Sequence, residues 1–231
     1  MSQPISFFLP TRKGSERVIN KNTKPFAGYG GGILELKLKQ LLATASLDEI
    51  VLSTNDEQSM AIAEKFLKHD SRLKIVQRPQ HLCESATKLT DLIAYVPDIV
   101  TCPHIMWGHV TTPIANESNY DMGVQAYRKA LNEGYDSLIS VMPFRNFLLN
   151  QNVQVVNKDK AGLRWPRTQD LIPLYEINHV MFIAPAEIYR SNHDRVGEKP
   201  FLFEMDKISS LDVDWEDDFL IAEAVYEKLF K

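Results

Sequence analysis

Four cations, Arg12, Lys13, Arg17 and Lys21, crowd one short stretch near the start of the 231-residue chain, LPTRKGSERVINKN, with Gly14 and Ser15 between them. An apolar run containing Ile5, Phe7, Phe8 and Leu9 precedes it, and an amphipathic segment follows. A strand that ends in a flexible cationic turn and then feeds a helix can aim backbone N–H groups and side-chain charge at one anion. The chemistry on offer is phosphate binding. The plainer alternative is a solvated turn, since Lys and Arg usually sit on surfaces. The stretch lacks G-x-x-x-x-G-K-[ST] and is no P-loop. Gly28, Gly30, Gly31 and Gly32 follow it, but a dinucleotide fingerprint would need glycine where Ile33 stands, so this cluster reads as a turn.

A second set lies near the other end. Asp212-Val213-Asp214 is expected on a strand, where a period of two puts both carboxylates on one face. Two carboxylates repel unless a cation sits between them, and Mg²⁺ accepts one or two carboxylates while keeping room for water and substrate phosphate. The competing reading is an acidic strand end before a helix whose first turn holds Asp217 and Asp218. A third set is Arg164-Trp165-Pro166-Arg167-Thr168-Gln169. Its arginines and Gln could clamp a carboxylate or belong to an interface, where Arg is enriched. His109 falls at the C-terminal end of an expected central strand, where open α/β sheets bind ligands.

The elements that must position these groups alternate. Strands are expected at residues 5–9, 50–52, 73–76, 104–110, 137–141, 180–183 and 201–204. Helices are expected at 33–45, after Asp56, at 88–96, 120–131 and 216–230. Such alternation implies an α/β fold, a mostly parallel sheet with helices on both faces. The pattern fails at about 143–178, which is rich in Asn, Gln, Arg and Pro. A structureless stretch of that length is unusual in a compact domain, so it is expected to be an insertion with short strands of its own that meets a partner subunit. The length suits a single domain. A net charge of −4 argues against a general nucleic-acid binder. Cys83 and Cys102 have no metal or disulfide spacing. The absence of a leader-like start or a long apolar run makes a cytoplasmic protein without a membrane partner the expectation.

The stretch LPTRKGSERVINKNTKPFAG resembles the opening motif of the sugar-acid cytidylyltransferases, closest to the acylneuraminate cytidylyltransferases and their legionaminate and pseudaminate relatives. The resemblance continues through VLSTNDEQSMAIA, QRPQHL, HVTTP, GYDSLISV, PRTQDLIPLYEIN and SLDVDWEDDFLIAE, and so spans nearly the whole chain. It implies a Rossmann-like three-layer nucleotide-diphospho-sugar transferase fold, a homodimer joined through the insertion, Mg²⁺ as cofactor, and transfer of CMP from CTP to a nonulosonic acid with release of pyrophosphate. Transfer to 3-deoxy-manno-octulosonate, or a catalytically impaired CTP binder, are its alternatives. By the same resemblance Arg12, Gly14, Ser15, Lys21, Asn22, Ser85 and Thr87 bind the nucleotide. Asp212 and Asp214 hold the metal, and Arg12, Lys21 and Asp214 are the catalytic set. His109, Arg167, Gln169 and Asn178 meet the sugar acid. The chain departs from the family pattern at Glu16 (often Lys), Ile19 (often Pro), His109 (often Gln) and His179 (usually Gly).

Overall fold

The computed structural model describes residues 3–15, 17–158, 163 and 165–231. Glu16 and Arg164 therefore lie outside the described residues. Seven strands form one sheet: β1 (Ile5–Pro10), β2 (Glu49–Thr54), β3 (Leu73–Gln77), β4 (His104–Trp107), β5 (Ser137–Phe144), β6 (Leu174–Pro185) and β7 (Pro200–Glu204). Their order is β3-β2-β1-β4-β6-β5-β7. Every neighbouring pair is parallel except those made by β6, which runs antiparallel to both β4 and β5. The mostly parallel α/β sheet expected from the alternation is the one observed.

Six α-helices among the described residues cover the sheet: α1 (Gly32–Ala43), α2 (Glu57–Glu64), α3 (Leu89–Tyr95), α4 (Glu117–Asn132), α5 (Ala186–Ser191) and α6 (Glu216–Phe230). The side-chain alternation of β1 sorts them into layers. Ile5, Phe7 and Leu9 point into one core with residues of α1, α2, α4 and α6. Phe8 points the other way, into a second core with Ile93 of α3 and Tyr189 of α5. A strand apolar on both faces is what a sheet covered on both sides demands. Asp56 caps α2 as its position suggests, accepting from the N–H groups of Gln58 and Ser59.

Local chemistry then fixes the loops at the strand ends. Lys37 is buried in α1, and its ammonium donates to the carbonyls of Thr112 (2.8 Å) and Ala115 (3.0 Å) and to the Tyr120 hydroxyl (2.6 Å). Burial pushes its pKa well down. Beside it, Gln40 donates to the Pro113 carbonyl at 2.8 Å. Together they pin the HVTTP loop that follows β4. Gly108 makes the loop's approach possible, since a Cβ there would strike the Phe7 ring and the Val180 carbonyl. The chain before α1 closes on itself similarly: Gly32 adopts φ +66°, and a Cβ there would meet the Lys24 carbonyl.

Two expectations change. Strand β4 ends at Trp107, so His109 lies in the loop beyond it rather than on the strand. The segment expected at about 143–178 is shorter as an irregular stretch, because β5 continues to Phe144 and β6 begins at Leu174. These extensions pair as a two-stranded ribbon, Phe144 opposite Leu174. Between them the described residues contain no strand, only a 3-10 turn at Thr168–Asp170 and one bridge, Leu149 with Val155. Asn157 braces this stretch, accepting from the Leu148 N–H and donating to the Asn146 carbonyl.

Candidate active site

A cleft of about 510 Å³ opens at the C-terminal ends of β1 and β4. Pro10, Thr11, Arg12, Ser15, Arg17, Lys21 and Asn22 of the basic loop form one wall. Arg78, Leu89 and Leu92 form a second, and Trp107, His109 and Arg195 a third. Five cations line it, and no described carboxylate does. A smaller cavity of about 220 Å³ adjoins, lined by Arg12, Lys13, Gly14, Ser15, Lys21 and Asn22 together with the first turn of α2. The loop thus wraps a space on two sides, as an anion cradle requires. Gly14 sits at φ +83°, a conformation glycine adopts freely.

Each cation has a different tether. Arg12 Nη1 donates to Ser85 Oγ (3.2 Å) and weakly to the Cys83 carbonyl (3.5 Å). Arg78 is buried and donates to the carbonyls of Thr11 (2.5 Å) and Ser53 (2.6 Å), bracing the loop from beneath. Lys21 Nζ donates to the Val213 carbonyl at 2.6 Å and lies 3.7 Å from Asp214. Burial lowers its pKa, with Asp214 opposing that effect. Arg17 pairs with Asp214 at 2.8 Å. The basic loop and the acidic segment are therefore in direct contact.

The acidic segment is not a strand. Residues 211–214 have no ladder partner; the Val213 N–H donates to the Thr111 carbonyl (2.8 Å), and a side-chain bond from Asp212 to Thr111 adds to that tie to the HVTTP loop. The alternation survives without a sheet: Val213 is fully buried, and Asp212 and Asp214 both line a separate cavity of about 390 Å³ with Asn178, His179 and Lys207. Asp218 also has the capping role that competed with the metal reading, its carboxylate accepting from the Asp214 and Trp215 N–H groups. Asp212 differs from its neighbours. Its Oδ1 is buried with no hydrogen-bond partner, and burial raises the pKa of its carboxyl. An orphaned, buried carboxylate oxygen beside a second carboxylate fits a divalent cation that takes few protein ligands. No group of three potential ligands exists among the described residues, so substrate or water would complete such a coordination shell.

His109 stands in the cleft wall. Its Nε2 accepts from Trp107 Nε1–H at 3.1 Å, which leaves the proton on Nδ1. Burial, then the charges of Arg195, His179 and Lys21, push its pKa down to about 3. The ring stacks toward His179 with centroids 5.3 Å apart. His179 has φ +57°, the left-handed region that favours glycine, and its Nδ1 is buried without a partner.

The other expected site residues have different surroundings. Asn178 is buried and its amide is fully engaged: Oδ1 accepts from Ser140 Oγ (2.6 Å) and the Val180 N–H (3.2 Å), and Nδ2 donates to Ser210 Oγ (2.9 Å). Through Ser140 it ties β6 to β5 where their register shifts. Thr87 spends its hydroxyl on the His81 carbonyl at 2.8 Å, and Ser85 reaches the cleft through Arg12. Arg167 is exposed, paired with Asp170 at 2.7 Å, and neither it nor exposed Gln169 lines the cleft of its own chain. Arg78, Trp107 and Arg195 line the cleft but carry no spacing signal. Only the QRPQHL run around Arg78 pointed near the site.

Known proteins resemble the chain in sequence and in fold. The cytidylyltransferase family pattern matches residues 7–212. The pseudaminic acid cytidylyltransferase of Campylobacter jejuni is 24% identical over 95% of this chain and 94% of its own length. The N-acylneuraminate cytidylyltransferase of Escherichia coli is 24% identical over 99% of this chain and 53% of its own. In fold, a CMP:2-keto-3-deoxy-manno-octonic acid synthetase solved with CTP superposes with a TM-score of 0.68 at 13% identity, covering 97% of this chain and 99% of that one. The 4-diphosphocytidyl-2C-methyl-D-erythritol synthase of Anaerococcus prevotii does so with 0.66 at 15%, covering 96% of each. A pattern match across most of the chain, on a sheet whose strand ends carry a cationic cleft against an acidic pair, has one conclusion: this chain belongs to the cytidylyltransferase family.

Proposed function

We propose that the protein transfers CMP from CTP to the anomeric hydroxyl of a nonulosonic acid, expelling pyrophosphate. The observation that carries this reading is the junction of Lys21 with the Asp212–Asp214 segment, which sets the loop's cations against the acidic pair. Phosphoryl-type transfer asks for positioning and charge neutralisation more than covalent chemistry from the protein. Arg12 and Lys21 balance the triphosphate and the charge that builds on the leaving pyrophosphate. Asp212 and Asp214 would hold Mg²⁺, which would polarise phosphate oxygens. Arg17 pairs with Asp214 and so links the cationic loop to the acidic segment. His109, neutral at working pH, offers Nδ1–H to a sugar hydroxyl rather than a charge.

The reading extends to a cytoplasmic homodimer. The irregular segment and ribbon expose Phe147, Leu149, Val153, Leu163, Trp165 and Ile177, more apolar surface than a monomer usually leaves uncovered. Arg167 lies on this segment, so a second copy covering it is positioned to receive that guanidinium. Light scattering tests the dimer. Pyrophosphate release from CTP with a panel of nonulosonic acids, and with 3-deoxy-manno-octulosonate as comparator, tests the activity. Turnover with a nonulosonic acid is expected. Folded protein that releases no pyrophosphate with any of them rules the reading out, and preference for the eight-carbon acid reassigns the substrate.

A further inference from the structure

Of the cleft's cations, Arg195 alone belongs to no motif. It follows α5 in an irregular stretch, and its guanidinium lies over the Phe182 ring at 3.8 Å and the Trp107 ring at 4.8 Å. These two residues face each other across the β4–β6 ladder, so the sheet itself provides the platform. Stacking holds the guanidinium plane while leaving its edge N–H groups aimed outward. Its one side-chain hydrogen bond among the described residues is a long contact, 3.5 Å, to His109 Nε2. That nitrogen already accepts from Trp107. No described carboxylate lies within ion-pair distance. Asp194, its chain neighbour, spends Oδ1 on the N–H groups of Arg195 and Val196.

A half-buried guanidinium without a counter-ion is costly unless a ligand supplies one. The basic loop lines the same cleft and carries Arg12, Arg17 and Lys21, the cations assigned above to phosphate. The third wall offers one planar fork of donors beside a neutral imidazole donor. That geometry matches a carboxylate next to hydroxyls, with bidentate contact to the fork. Arg167, the residue expected to hold the acid, is exposed and paired with Asp170.

We propose that Arg195, held flat on Trp107 and Phe182, binds the carboxylate of the acceptor and so makes the site selective for an acid. The proposal rests on the transfer reading above and adds to it the residue that recognises the acceptor's charge.

The test compares Arg195→Gln and Arg195→Lys with the parent enzyme, using the acceptor acid and its carboxamide. Losing a charge-assisted pair is expected to raise the KM for the acid by about 10- to 100-fold. The KM for CTP should stay within about twofold, whereas an Arg195 that held phosphate instead would on removal weaken the nucleotide by that same factor. The parent enzyme should prefer acid to carboxamide, Arg195→Gln should lose that preference, and Arg195→Lys should restore part of it. A purely structural role would move melting temperature and both substrates together. Unchanged acid preference in Arg195→Gln, or a rise in the KM for CTP alone, overturns the proposal while leaving the transfer reading intact. No pyrophosphate from the parent enzyme with any acid sinks both. If Arg195→Gln does not fold, Arg195→Lys decides by itself: a point charge in place of a fork should raise the acid KM several-fold, and an unchanged KM overturns the assignment.

Discussion

Replacing Asp212 by Asn separates what the site needs for stability from what it needs for chemistry. Asp212 Oδ1 is buried without a partner, and Asp214 adds like charge nearby. A carboxyl whose pKa is raised by folding costs stability as pH climbs above its unfolded value of 3.8, because the folded chain holds the proton more tightly. The metal-free protein therefore carries this burden as pH rises above that value. Asn keeps the shape and removes the charge. An unsatisfied buried polar group costs about 1–3 kcal/mol, more if charged. Asn still buries an amide, so only the part of that cost belonging to the charge is recovered; at about 1 kcal/mol it raises the melting temperature of a chain this size by about 2–4 °C. The same variant should lose turnover by at least about 100-fold, because metal stabilisation of a phosphoryl group is worth several kcal/mol and each ~1.4 kcal/mol is tenfold. Scanning calorimetry without metal, then with Mg²⁺ and CTP, checks the stability half, and pyrophosphate release checks the other. Wild type should gain stability on adding Mg²⁺ with CTP, and Asp212→Asn should start higher and gain less. A variant that melts lower without metal, or that keeps Mg²⁺-dependent turnover, would refute the reasoning.

Other consequences are as direct. Lys21→Met leaves the Val213 carbonyl without its donor and should lower stability by about 1–2 kcal/mol as well as raising the KM for CTP; an unchanged denaturant midpoint would contradict the role of that bond. His109 is held neutral, its pKa pushed down from 6.5 to about 3, so its contribution is whole above 6.5 and is lost as pH falls towards 3. Wild type should lose up to about 1 kcal/mol per pH unit in that window, allowing for the cleft's solvent, and His109→Gln should show a flatter profile in urea melts. At position 179 the left-handed backbone favours glycine, so His179→Gly should melt above His179→Ala by about 1 kcal/mol; equal melting temperatures would mean that the backbone there relaxes.

Period and punctuation made most of the architecture legible. β1, apolar on both faces, could only be a covered strand, and Asp56 announced α2. The antiparallel course of β6 was not legible, because side-chain alternation carries no strand direction. The reach of β5 and β6 into the irregular segment was hidden for a related reason: Leu174–Ile177 is exposed in the ribbon and lacks an inward face to read. The site divides in the same way. Lys21, Asp212 and Asp214 stand out because their types are conspicuous and their spacing is local. The strand expected at 212–214 was wrong in kind, but bonds to Thr111 preserve the alternation that strand would have imposed. Arg195 is silent in the sequence because its meaning depends on two aromatic rings from separate strands, which no window of sequence contains. Asn178 differs again: a polar residue in a familiar motif, it lines the cavity of Asp212 and Asp214 while its amide bonds to Ser140, Val180 and Ser210.

The bond between Lys21 and Val213 joins residues 192 positions apart, and this has a consequence in time. A ribosome adding about 5–20 residues per second makes the loop some ten seconds or more before the segment that closes it. Until then Lys24 and Ala27 also lack Glu216 and Glu223 of α6, to which they bond in the finished chain. The loop is thus among the first parts synthesised and the last secured. On the proposed reading, nucleotide binding should report completion of the whole fold, and a nascent chain stalled before residue 211 should remain blind to CTP even with its sheet largely formed.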